Sequence, residues 1–123
     1  MMKSVLLVGV GSFVGGALRY LVSVVLRSHC CGSFPWATLA VNLLGCFIIG
    51  VLYALFSRFG ATSHSACLLL TTGLCGGFTT FSTFANESLQ MIQNGNIVGF
   101  LCYTCISVAA GISLVALGCC LIK

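Results

Sequence analysis

The chain has 123 residues, 59% of them hydrophobic and only 5% charged, with a mean hydropathy of +1.18. Soluble domains carry about 25% charged residues, so this composition excludes a water-soluble globular protein and fits one membrane domain with no space for an appended soluble module. The net charge of +4 comes from five basic residues and one acid, and the basic residues are scattered singly, which excludes a nucleic-acid-binding patch.

Met1-Met2-Lys3 followed by an apolar run imitates a signal peptide, but the hydrophobicity continues to about Leu26. That length predicts a retained transmembrane helix over 4–26, enough for a bilayer core of about 30 Å. Gly11-x-x-x-Gly15 within it is the small-xxx-small spacing that permits close helix approach. The spacing of Gly9, Gly11, Gly15 and Gly16 is not that of a dinucleotide-binding loop, and no strand precedes them. Arg19 lies near the far end of the helix. A charge at the bilayer centre costs about 2.5–3.5 kcal/mol on insertion scales, so Arg19 reads either as a snorkelling anchor or as a structural or vestibule cation.

The segment from Arg27 to Pro35 is a polar loop, and a second helix is expected over 36–57, opened by the interfacial Trp36 and closed by Arg58. Thr38 and Asn42 are four apart and share a face that Gly45 continues. A buried Asn in a membrane helix is interhelical glue or a pore ligand, and both readings stay open here.

The third hydrophobic stretch, expected over 65–93, departs from an ordinary span. Between Arg58 and Glu87 there is no Lys, Arg, Asp or Glu, yet residues 73–84 hold three glycines and four Ser/Thr hydroxyls. Glycine disfavours helix continuity, and Thr and Ser offer the backbone competing hydrogen bonds. A helix break near 76–79 is therefore expected. Unpaired peptide groups facing hydrocarbon cost several kcal/mol, so such a break needs protein or a wet cavity around it, and discontinuous helices of this kind mark ion sites. After the break, Phe81, Phe84 and Ser88 fall on one helical face and Thr80, Thr83 and Glu87 on the neighbouring one. Aromatic ring edges carry partial positive charge, so Phe81 and Phe84 can face a small anion without holding it tightly, or can simply pack. Glu87 is the sole acid, placed at a span end where it caps, pairs with an Arg or faces a vestibule.

Asn94-Gly95-Asn96 marks a turn, and a fourth helix is expected over 97–121. On it Tyr103, Ser107 and Gly111 recur every four residues as a narrow polar or small stripe, either packing surface or one wall of a hydrogen-bonding track. The nine cysteines mostly lie inside apolar spans, where a free thiol behaves as a small hydrophobe. Cys102-x-x-Cys105, His29-Cys30-Cys31 and His64 with Cys67 have metal-like or redox-like spacing but lack a second ligand pair, and packing accounts for them better.

The chain is thus expected to be all-α, one integral membrane domain of four helices with a broken third. Lys3, Arg58 and Lys123 on one side oppose Arg27 and Arg19 towards the other. This weak positive-inside bias allows insertion in both orientations and an antiparallel, dual-topology homodimer.

Taken together, Gly15-Gly16-Ala17-Leu18-Arg19-Tyr20, Thr38-Leu39-Ala40-Val41-Asn42-Leu43-Leu44-Gly45 and, above all, Gly73-Leu74-Cys75-Gly76-Gly77-Phe78-Thr79-Thr80-Phe81-Ser82-Thr83-Phe84 with Glu87 resemble the Fluc fluoride channels, the CrcB family. The resemblance implies an inverted homodimer in the lipid of a cell (inner) membrane, with two antiparallel fluoride pores that export the ion down its gradient and limit its toxicity. It further implies a structural, non-transported Na+ held by main-chain carbonyls of Gly76 and Thr79 from both subunits. Phe81 and Phe84 would line each pore with Asn42 as donor, Tyr103 and Ser107 would form a polar track, and the hydroxyls of Thr80, Ser82 and Thr83 would add donors. Arg19 would be the basic residue near a vestibule, with Glu87 and Thr38 in vestibule or structural places. Gly111 stands where many relatives have another polar residue, which leaves the far end of the track open.

Fluoride is small and tightly hydrated, so a pore must replace its water with several donors yet bind weakly enough for exit, which suits amide, hydroxyl and ring-edge contacts without a deep Lys or Arg. The alternative is a small dual-topology multidrug exporter. That chemistry wants a membrane-embedded carboxylate early in the chain, and the first helix has none. A non-transporting assembly subunit explains the glycines but not the polar break. No nucleophile–base pair, carboxylate pair or cofactor loop is present, so an enzyme is not expected.

Overall fold

The computed structural model describes residues 1–29, 34–59 and 64–122. Cys30 and Cys31, the core of one thiol cluster considered above, and Lys123, one of the charges in the orientation argument, lie outside the described residues. The helices are α1 (Met2–His29), α2 (Trp36–Phe59), α3 (His64–Cys67), α4 (Gly76–Phe78), α5 (Ser82–Gln93) and α6 (Ile97–Ile122), with a π-helical segment, Leu68–Cys75, between α3 and α4. They build four apolar spans, Met2–His29, Trp36–Arg58, His64–Gln93 and Ile97–Ile122, each long enough to cross a membrane.

The third span is broken, but its non-helical residues are 79–81, C-terminal to most of the expected 76–79 interval. Gly76 and Gly77 remain helical in α4, and the chain leaves the helix at Thr79, with φ −87° and ψ 162°. The reason is that Gly77 serves close packing against the Ser12 backbone, while hydroxyls and a neighbouring amide supply the partners that replace the helical ladder. Before the break the helix is already widened. Thr71 Oγ1 donates to the Cys67 carbonyl at 2.6 Å, competing with the backbone for that acceptor, and the Gly76 N–H is shared between the carbonyls of Thr71 and Gly73.

Two glycine seams set the packing. On the first, α1 lies parallel to the first half of the third span. A Cβ on Gly11 would come 2.5 Å from the Leu69 carbonyl oxygen, and one on Gly77 would come 2.6 Å from that of Ser12. Gly15 is against the Leu74 carbonyl, and Arg19 Nε donates to the Gly77 carbonyl at 3.2 Å. The Gly11-x-x-x-Gly15 spacing therefore does what its sequence pattern predicts. On the second seam α2 runs parallel to α6. A Cβ on Gly118 would come 2.6 Å from the Phe47 carbonyl oxygen, and Cys119 Sγ donates to the Gly50 carbonyl at 3.4 Å. Arg58 in the last turn of α2 donates to the carbonyl of Ile122, where a cation meets the negative end of the α6 dipole.

Between α5 and α6 the Asn94-Gly95-Asn96 turn forms as expected. Gly95 takes φ +80°, the Asn96 N–H reaches back to the Met91 carbonyl at 2.8 Å, and Asn96 Oδ1 caps α6 by accepting the Gly99 N–H at 3.0 Å. This hairpin folds α5 onto α6 around an apolar cluster of Leu39, Met91 and Tyr103, with Phe34, Leu43, Phe84 and Phe100 against it. The cluster fixes the second half of the broken span relative to α2 and α6, and so fixes one wall of the site.

Candidate ion-conducting site

Asn42 on α2 meets the break. Its Oδ1 accepts the Thr80 N–H at 2.8 Å, and its Nδ2 donates to the Thr80 carbonyl at 2.9 Å. One side-chain amide thus satisfies both backbone groups of the residue at the centre of the break, which is how non-helical backbone survives at membrane depth. The Asn42 amide still has a second N–H to offer. The glue reading of Asn42 is correct, and it leaves a donor for the other.

The same replacement frees two carbonyls. In a continued α-helix the Thr80 N–H would bond the Gly76 carbonyl and the Thr83 N–H would bond that of Thr79. The first N–H goes to Asn42, and the second goes to Thr80 Oγ1 at 3.3 Å. Gly76 and Thr79 are therefore released as oxygen acceptors, while the Gly77 and Thr80 carbonyls are committed to Arg19 and Asn42. Two neutral carbonyls at the C-terminal end of a half-helix are hard oxygen ligands on the negative side of a dipole, a donor set that fits an alkali cation.

In front of the break lies a groove of about 570 Å³ whose wall includes Asn42, Gly76, Thr79, Thr80, Phe81, Phe84 and Ser107. The rings of Phe81 and Phe84 are 5.8 Å apart and tilted by 43°. Ser107 Oγ is buried and has no hydrogen-bond partner among the described residues. No Lys, Arg, Asp or Glu is among the groove's lining residues.

Other expected site residues lie elsewhere. Tyr103 is fully buried behind Phe84, with ring centroids 4.9 Å apart, and its OH donates to Glu87 Oε1 at 3.1 Å. Thr38 is buried against the same phenol. Thr83 serves the start of α5, accepting from the Thr80 hydroxyl at 3.1 Å, and Ser82 is exposed. Arg19 is an anchor for α4 and is not among the residues lining the groove.

Sequence reasoning missed part of the wall: Cys46, Ile49 and Tyr53 from α2, and Thr71, Thr72 and Cys75 from the π-helical segment. Carrying the Asn42 face on by four, seven and eleven residues finds the first three. The second three depend on a π-helical pitch that the 3.6-residue period does not describe. Thr104 Oγ1 and Ser88 Oγ were also missed as buried hydroxyls without a partner among the described residues.

Fold and groove define a small multi-pass membrane protein organised around a discontinuous helix. The chain belongs to the CrcB family: residues 6–119 match the family model described as CrcB-like protein, Camphor Resistance (CrcB). It is 50% identical over 117 residues to a protein of Phocaeicola vulgatus named fluoride-specific ion channel FluC, covering 95% of this chain and 96% of that one. Proteins of the same name from Leptospira interrogans and Chlorobaculum tepidum are each 45% identical, over 121 and 122 residues, covering 98% and 99% of this chain and 95% and 96% of theirs. The family is one of ion channels, not enzymes.

Proposed function

We propose that this chain is the subunit of a fluoride-selective channel that lets the ion leave the cytoplasm passively and so limits its toxicity. The observation that carries the reading is the groove, whose wall brings together the Asn42 amide, the Ser107 hydroxyl, unpartnered among the described residues, and the rings of Phe81 and Phe84, with no charged side chain on the wall. Neutral donors of this kind replace part of the hydration shell of a small anion without trapping it. The names of the relatives support fluoride as that anion.

The pore is completed in an inverted homodimer. Phe81 is 78% exposed in the single chain, and the groove is open along one side, so a second copy supplies the missing wall. A Na+ at the dimer centre would be held by the Gly76 and Thr79 carbonyls of both subunits, where it supplies a fixed positive charge that ties the two breaks together. The role of this chain is to free those oxygens, through Asn42 and Thr80 Oγ1.

Efflux from liposomes, followed with fluoride and chloride electrodes, tests the reading. Rapid fluoride efflux without chloride efflux is expected, with a steep loss when Na+ is replaced by a large organic cation throughout purification and reconstitution. Equal efflux of both halides, or none from a well-folded dimer, would overturn it. Fluoride efflux indifferent to Na+ would remove the staple while leaving the channel.

A further inference from the structure

A second cavity, of about 300 Å³, lies where the end of α1, the start of α2 and the α5–α6 turn meet. Its lining includes Arg27, Trp36, Glu87, Gln90, Asn94 and Asn96. Arg27 is exposed and makes no hydrogen bond or ion pair among the described residues, so its charge is uncompensated there. Glu87, the one acid on this wall, is engaged by the Tyr103 hydroxyl. The side-chain amides of Gln90, Asn94 and Asn96 and the indole N–H of Trp36 add neutral donors.

A chain of three packed side chains joins this cavity to the groove. Glu87 lines the cavity and holds the OH of Tyr103, Tyr103 packs on Phe84, and Phe84 lines the groove. Arg19, the cation that the family resemblance would place near a vestibule, is committed to the Gly77 carbonyl and lines neither cavity. We propose that the second cavity is an anion entrance to the pore and that Arg27 is its recruiting cation, an inference that rests on the channel reading. A guanidinium at a solvent-open mouth raises the local anion concentration by long-range attraction, and its distance from the groove keeps it from holding the ion in transit.

Long-range attraction has a signature that a packing role lacks, because it is screened by salt. The Debye length is about 30 Å at 0.01 M ionic strength and about 3 Å at 1 M. The test is fluoride conductance in planar bilayers at fixed low fluoride, with gluconate as supporting anion at these two ionic strengths, for wild type, Arg27→Gln, Arg27→Glu and Arg27→Lys. Arg27→Gln is expected to lose roughly threefold at low ionic strength and nothing at high, Arg27→Glu to lose more, and Arg27→Lys to match wild type. An unaffected Arg27→Gln, or an equal loss at both ionic strengths, would overturn the entrance. Repeating the comparison in neutral phosphatidylcholine and with phosphatidylglycerol added separates a lipid-headgroup site. A loss that follows phosphatidylglycerol content and ignores ionic strength would assign Arg27 to lipid and overturn the proposal. A wild type that conducts no fluoride would sink the channel reading itself, whereas a conducting wild type with indifferent Arg27 variants sinks the entrance alone.

Discussion

Replacing Asn42 by Asp is expected to reduce fluoride efflux to the level of protein-free liposomes. The carboxylate keeps one half of the clamp, since it can still accept the Thr80 N–H. It destroys the other half: an oxygen now faces the Thr80 carbonyl where Nδ2 donated at 2.9 Å, and two acceptors oppose one another. Leaving a buried carbonyl unsatisfied costs about 1–3 kcal/mol, and the added negative charge repels the permeating anion across a groove that otherwise has no charged wall. Asn42→Ala separates the two effects, because it loses the clamp without adding charge. It should lower the melting temperature in detergent and weaken efflux, while Asn42→Asp goes to background. Near-normal efflux from Asn42→Asp protein that elutes as a dimer would refute both the pore assignment and the clamp.

The clamp also shows where the sequence was readable and where it was not. Four apolar stretches, the Gly11-x-x-x-Gly15 seam and the Asn-Gly-Asn turn are local patterns, each set by a period or by the backbone freedom of one residue, and each lies in the structure within a few residues of its expected place. The disruption of the third span was legible from its glycines and hydroxyls, but its position was not. Which peptide groups leave the ladder depends on a partner 38 residues away in the chain, Asn42 bonding Thr80, and no local propensity encodes that. The same limit applies to the cations. Arg19 and Arg27 are both single basic residues in or just after one hydrophobic run, and only the tertiary contacts assign one to the Gly77 carbonyl and the other to an open cavity. Tyr103 and Ser107 are one turn apart on α6, yet one is buried against Glu87 and the other faces the groove, a division made by where the ring of Phe84 inserts.

Gly15→Ala is expected to be the most damaging of the small substitutions, and two other glycines of α1 provide its controls. A Cβ on Gly15 would collide with the Leu74 carbonyl and come 2.8 Å from the Phe78 nitrogen and 3.1 Å from the Gly77 carbonyl carbon, all of them backbone atoms. No rotamer change relieves a backbone contact, so α1 must move away from α4. Overpacking of this kind costs about 1–3 kcal/mol in ordinary cores, and a seam in which backbones touch has less room to adjust. The displacement also draws Arg19 off the Gly77 carbonyl, one residue from Gly76, so the break itself is disturbed. Gly9 and Gly16 lie on the same helix with nothing within 4 Å of a built Cβ. Alanine at either position should leave stability unchanged or raise it by up to about 1 kcal/mol, while alanine at Gly15 should lower the melting temperature in detergent by more than about 5 °C. The comparison removes helix propensity as an explanation, because Gly-to-Ala in a helix interior favours folding by roughly 0.8–1 kcal/mol at all three positions. A Gly15→Ala protein as stable as wild type would mean that α1 and the broken span do not meet along this seam, and the register that places Arg19 beside α4 would fail with it.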